Sequence, residues 1–171
     1  MMEATTPRQI MMEELEELRK VIVAHHIEAG QKASGKTSKS LHVDVTENSG
    51  TLYGKNAFGV LETGRKAGKV PGNFTAIILQ WMKDKGIQVK PMPYKTDRAH
   101  KYTPEERAQN TFAYLVAKKI KEKGTQLYRT GGRSDIYSNA IPATVRKISD
   151  RLLELINVKI TSIKLNGNEK I

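Results

Sequence analysis

Apolar positions near the start of the chain recur at spacings of four and three. Met11, Leu15, Leu18, Ile22, His25 and Ala29 form one stripe, the period of an amphipathic helix. Thr6-Pro7-Arg8-Gln9 predicts its beginning, with Thr6 as N-cap, Pro7 at the first helical position and Gln9 closing a capping box. Gly30 predicts its end. In "LHVDVTENSGTLYG" the period drops to two, because Leu41, Val43 and Val45 alternate with His42, Asp44 and Thr46. Asn48-Ser49-Gly50 supplies a turn, and Leu52 begins a return strand.

A third extended segment is predicted over 58–62, followed by the exposed glycine- and proline-rich loop "TGRKAGKVPG". A second helix begins near Asn73, with Phe74, Ile77, Ile78, Trp81 and Met82 as its buried face and Gly86 as its stop. A polar, proline-marked linker covers 87–102. Thr103-Pro104-Glu105-Glu106 repeats the capping box, and Phe112, Leu115, Val116 and Ile120 give the third helix a core face that ends at Gly124. Lys118, Lys119, Lys121 and Lys123 crowd its last turns, where cations complement the helix dipole.

"GTQLYRTGGRSD" reads as a mobile basic loop. The last helical pattern runs through Ile141, Val145, Ile148, Leu152 and Leu155, with Pro142 starting or kinking it. "VKITSIKLN" is predicted to close the fold as a strand, bulged at Thr161-Ser162. This order predicts an α+β fold: a small, mostly antiparallel sheet packed against several helices, with long basic loops. It is read as one domain over 1–171, with an N-terminal helix in 1–30 and a flexible tail at 166–171.

Composition adds a charge of +11, from 29 Lys and Arg against 18 Asp and Glu. Residues 1–28 hold six acids and three bases, whereas 64–101 hold nine bases and two acids. That polarity suits a nucleic acid, an acidic protein surface, or self-assembly in which unlike ends of neighbouring copies meet. A solvated basic face is the plainer alternative. The absence of cysteine excludes disulfides and thiolate metal sites. No apolar run reaches the length of a membrane span, and "MMEATTPRQI" lacks the apolar core of a signal peptide.

"GQKASGKT", residues 30–37, fits the phosphate-loop pattern, in which Lys36 would reach the phosphates and Thr37 would hold Mg²⁺. Phosphate binding needs a strand before the loop and a helix after it. The predicted order here is helix, loop, strand, so nucleotide hydrolysis is not expected. His25 lies on the apolar stripe and reads as a core or interface histidine, and His25 and His26 are too close in sequence to chelate from one helix face. Glu62 and Arg65 flank Gly64 and are expected to form a structural salt bridge. No pairing of acids, bases and nucleophiles marks a catalytic site, and no cofactor or metal is expected.

The succession "SGKTSKSLHVDV", "LYGKNAFGVLETGRKAGKVPGNFTAIILQWMKDKGI" and "TFAYLVAKKIKEKGT", followed by a final helix and strand, resembles the tail-completion proteins of tailed bacteriophages, which belong to the neck or head–tail connector. The positions carrying it are Ser40-Leu41, Gly54, Leu61-Glu62, Gly64-Arg65, Gly68, Pro71, Phe74, Trp81 and Lys85-Gly86, and the resemblance covers residues 34–165. It implies a non-enzymatic virion protein that forms a homo-oligomeric ring, contacts portal, adaptor or tail proteins, and is made in the host cytoplasm. A closed ring needs a heterologous interface. The glycine-punctuated loops 64–72 and 125–133 are the expected contacts, with Arg65, Lys66, Lys69, Arg129 and Arg133 as interface residues, and Glu62, Gly64 and Trp81 as structural ones. The alternative is a non-specific nucleic-acid-binding protein acting on packaged DNA. It would hold phosphates through the same loops, although only 6% of the residues are aromatic, which is thin for base stacking.

Overall fold

Thr6 and Thr103 begin the two longest capped helices in the same way. Each side-chain oxygen accepts from the N–H three residues on (Gln9 and Glu106, both 3.2 Å), and each partner's side chain returns to the cap's own N–H. A proline follows each cap, at the position where its missing N–H costs nothing. The computed structural model describes residues 5–96 and 98–167, with side chains to residue 161. Its elements are α1 (Pro7–Glu28), β1 (His42–Val45), β2 (Gly50–Tyr53), α2 (Val60–Thr63), α3 (Phe74–Asp84), α4 (Pro104–Lys123), α5 (Gln126–Arg129) and α6 (Ala140–Gly167), with 3-10 turns at Ser38–Ser40 and Asn56–Gly59. The fold is α+β.

The chain divides into two units. The first comprises Met1–Lys32, Thr37–Phe58 and Ser134–Ile171. In it β1 and β2 pair antiparallel, Val43 opposite Leu52 and Val45 opposite Gly50, and both strands and α6 pack on α1. Ile10, Met11, Leu18 and Ile22 of α1 are buried with Leu41, Val45 and Ile136. His26, not His25, completes that stripe. It is 2% exposed, with Nδ1 2.8 Å from the Ser38 hydroxyl and its ring against Phe58, which in turn meets Tyr137. His25 is half-buried, with Nδ1 3.3 Å from the Ile136 carbonyl. A step of four from Ile22, rather than three, turns the last buried position to His26.

The second unit comprises Ala33–Lys36 and Gly59–Arg133, and its core lies between α3 and α4. Ile78 and Met82 pack against Ala113 and Ala117, with Phe74, Leu79, Val116 and Ile120 closing the edges. Here the expected helix faces shift. Trp81 is 39% exposed and Ile77 44%; Phe112 and Leu115 are 39% and 55% exposed. Alanines on α4 leave room only for a narrow stripe of α3 at i, i+4, and the bulkier residues one position away fall on the flanks.

Two predicted strands are helical. Residues 58–62 form the end of a 3-10 turn and most of α2, where the Phe58 N–H donates to the Lys55 carbonyl and the Thr63 hydroxyl to that of Gly59. Residues 158–166 continue α6 to Gly167. β-branched residues favour strands only where a sheet accepts them. Val158 and Ile160 instead prolong the helical period of α6, and no Pro or Gly interrupts it before Gly167. Thr144, Ser149 and Thr161 bond the carbonyls four residues back, which satisfies their hydroxyls inside a helix. Pro142 lies in the first turn of α6, where it removes no helical bond. Of the expected tail, 166 and 167 belong to α6 and 168–171 lie outside the described residues. Residues 125–133, expected as a loop, contain α5, capped by the Thr125 hydroxyl.

Candidate functional site

Segment 64–72 is fastened to the C-terminal end of α4 by main-chain bonds. The Arg65 carbonyl accepts from Thr125 N–H (2.8 Å), the Arg65 N–H donates to Thr125 Oγ1 (2.9 Å), and Gly68 N–H donates to the Lys121 carbonyl (2.9 Å). Glycine is required on both sides of this seam. Gly64 has φ 68°, and a Cβ there would lie 2.4 Å from the Tyr128 nitrogen; Gly124 has φ 77°, and a Cβ there would lie 2.7 Å from the Arg65 carbonyl oxygen. The motif "ETGR" thus meets the motif "KGT" at a backbone-to-backbone contact that side chains cannot enter.

Arg65 does not pair with Glu62. Gly64 turns the chain, and the Arg65 guanidinium donates to the Lys69 carbonyl (2.8 Å) and sits 5.5 Å from the centre of the Phe74 ring. Glu62 itself is 3% exposed, and its main-chain carbonyl accepts from Arg133 N–H (2.9 Å). Lys66 and Lys69 point into solvent. Beside them lies a cleft of about 440 Å³ lined by Val60, Thr63, Arg65, Lys66, Lys69 and Tyr128. The same segment borders a second depression of about 300 Å³, whose walls include Val70, Phe74, Tyr114, Lys118, Lys121 and Glu122.

Of the five interface cations expected from sequence, Arg65, Lys66 and Lys69 therefore gather at one cleft. Arg129 lies on α5 with its guanidinium on Gln126, and Arg133 follows the Gly131-Gly132 pair; neither lines the cleft. The residues that sequence reading missed are Tyr114, Lys118, Lys121 and Tyr128. Lys118 and Lys121 read as dipole-complementing helix ends, yet their i, i+3 spacing places them on one side of α4 beside segment 70–72. Among the described residues, no ion pair or hydrogen bond occupies the ammonium groups of Lys66, Lys69, Lys118 or Lys121.

The charge of the chain follows the division into units. The second unit carries seventeen Lys and Arg against six Asp and Glu, whereas the first carries twelve of each. The net +11 thus resides in the second unit.

The phosphate-loop pattern lies between α1 and a three-residue 3-10 turn that leads into β1. Among the described residues, no strand precedes it and no α-helix opens from it. Among the described residues, no group of three or more His, Asp and Glu could hold a metal ion, and no helix is long and apolar enough to cross a membrane. The chain matches no family model, no curated protein and no solved structure.

Proposed function

We propose that this chain is a structural virion protein of a tailed bacteriophage, forming a ring in the neck that joins the portal-proximal side of the capsid to the tail. The observation that carries the reading is the surface of α6. One side of this helix packs on α1, tied by Arg151 Nη1 to Glu14 (2.8 Å) and Nη2 to Glu13 (2.6 Å). A second stripe of Val145, Leu153, Ile156 and Ile160 is 48–59% exposed. A helix apolar on more than one side ordinarily buries both.

The second unit offers unlike apolar positions at Ile77, Trp81, Phe112 and Leu115, each at least 39% exposed. Two different apolar surfaces on one chain are what a head-to-tail ring requires. The residues that carry the resemblance to tail-completion proteins support the same reading: Gly64 permits close contact with the Tyr128 backbone, Gly68 N–H donates to the Lys121 carbonyl, and Phe74 N–H donates to the Pro71 carbonyl. Arg129, exposed on α5, belongs in this proposal to the polar rim of contacts with ring neighbours, the portal, adaptors or tail proteins.

Sedimentation velocity with negative-stain imaging of the purified protein tests the reading. Rings are expected, and Val145→Asp with Ile156→Asp should leave folded monomers, with helical circular dichroism retained because neither residue is in the core. A wild-type protein that stays monomeric at every concentration, or a double variant that still forms rings, would overturn it.

A further inference from the structure

We infer that the second unit carries a docking site for the phosphate backbone of duplex DNA, formed by segment 64–72 and the C-terminal half of α4. This goes beyond the ring reading, since a connector ring needs no such site. Its anchor points are Lys66 and Lys69 at the larger cleft and Lys118 and Lys121 at the smaller depression. Tyr128 and Tyr114, 47% and 55% exposed, stand beside them.

Three observations favour DNA over an acidic protein surface. First, the four ammonium groups are unpaired among the described residues, whereas the one guanidinium at the cleft is already engaged by the Lys69 carbonyl and Phe74. Protein interfaces favour arginine and aromatic anchors and are depleted of lysine, whereas phosphate contacts that carry no base information are made by lysine point charges as well as by arginine. Second, twelve of the seventeen bases in this unit are lysines. Third, the support under them is rigid: main-chain bonds from Arg65, Gly68 and Thr125 hold the segment, so only the lysine stems need ordering on binding.

The site reads backbone, not bases. The Arg65 guanidinium is engaged by the Lys69 carbonyl and Phe74, and lysine ammonium groups are point charges without the planar fork that reads base edges, so binding is sequence-independent. Lys66 and Lys69, expected from sequence at protein–protein contacts, are reassigned by this inference to DNA.

The test is fluorescence anisotropy of a labelled random-sequence duplex with the full chain, titrated at several salt concentrations. Each phosphate contact adds about 0.9 to the slope of log K against log salt. Replacing Lys66, Lys69, Lys118 and Lys121 together by Gln should therefore lower the slope by about 3.6. Lys→Arg at the same four positions should retain it, which separates loss of charge from loss of fold. Replacing Lys39, Lys55, Arg146 and Lys147 of the first unit by Gln removes the same charge and should leave the slope unchanged. Equal falls in both quadruple variants would overturn the site in favour of diffuse attraction. Binding to polyglutamate but not to the duplex would overturn it in favour of an acidic protein partner. The α6 double variant should bind the duplex with the wild-type slope per chain, so failure of the ring reading and failure of this one are distinguishable.

Discussion

The two units use charge in opposite ways. In the first, acids and bases balance and several pair internally: Arg151 with Glu13 and Glu14, Arg19 with Glu16, and Lys20 with Glu17. Its surface surplus is apolar, along α6. In the second, seventeen bases stand against six acids, and the lysines beside segment 64–72 have no internal partner among the described residues. Paired charge fixes geometry within a unit, whereas unpaired charge of one sign repels itself and costs stability. A chain that concentrates eleven net charges in one unit has placed them where they act outward.

The sharpest way to break this contrast is to unfold one unit alone. Gly64→Ala puts a side chain at φ 68° with its Cβ in contact with the Tyr128 backbone, which cannot move away without releasing α5. Strain and overpacking together should cost about 4 kcal/mol. Hydrogen exchange should show lost protection in α3 and α4 while α1 and α6 keep theirs. Equal loss in all four helices would mean that the units unfold as one.

A smaller effect separates two neighbours on α3. Met82, 2% exposed between Ala113 and Ala117, should lose about 3 kcal/mol on replacement by Ala. Trp81, the only tryptophan, should lose about 2 kcal/mol on the same change, since more than a third of it already meets water. Denaturant titration followed by far-UV circular dichroism measures both. Trp81→Ala costing as much as Met82→Ala would restore the broader buried face that its sequence suggests.

The difference between these residues also marks how far the sequence could be read. Caps were legible because their chemistry is local: Thr6 and Thr103 act on the very next turn. The α+β class was legible from the change of period between α1 and β1. The packed faces of α3 and α4 were not, because Ala113 and Ala117 carry no hydrophobic signal that distinguishes core from surface, while Trp81, Phe112 and Leu115 carry a strong one. The segment 158–166 misled for a related reason: its β-branched residues favour a strand locally, and only the continuing period of α6 overrides them. Of the site, the cations at 65, 66 and 69 were visible as a cluster. Their link to Lys118 and Lys121 was not, because it depends on the bond from Gly68 to a carbonyl more than fifty residues away.

Within the first unit, Arg151 tests whether the paired charges hold helices together. Hydrogen bonds to Glu13 and then Glu14 raise its pKa above the ordinary arginine value. A raised folded-state pKa means that the stabilisation is fully present below the unfolded value and is lost only at more alkaline pH, so it is constant across neutral pH. The guanidinium is partly solvated, so Arg151→Gln should cost at most about 1 kcal/mol, and less in high salt. Chemical denaturation at low and high salt measures this, with no loss at either indicating a decorative pair.

The smallest expected effect belongs to the most eye-catching motif. Lys36 is exposed, and its main-chain N–H reaches only the Ser34 hydroxyl at 3.4 Å. A phosphate loop concentrates free N–H groups at the start of a helix and adds the helix dipole to them. Here the loop follows the C-terminal end of α1, where the dipole is negative, and the turn after it is only three residues long. Both features oppose a triphosphate. Lys36→Ala should therefore change stability by less than about 0.5 kcal/mol, as at ordinary surface sites. It should leave ring formation and the salt slope of DNA binding within error of wild type. Isothermal titration with ATP and Mg²⁺ should give no heat for either protein; saturable binding to wild type that Lys36→Ala abolishes would make the loop a nucleotide site after all.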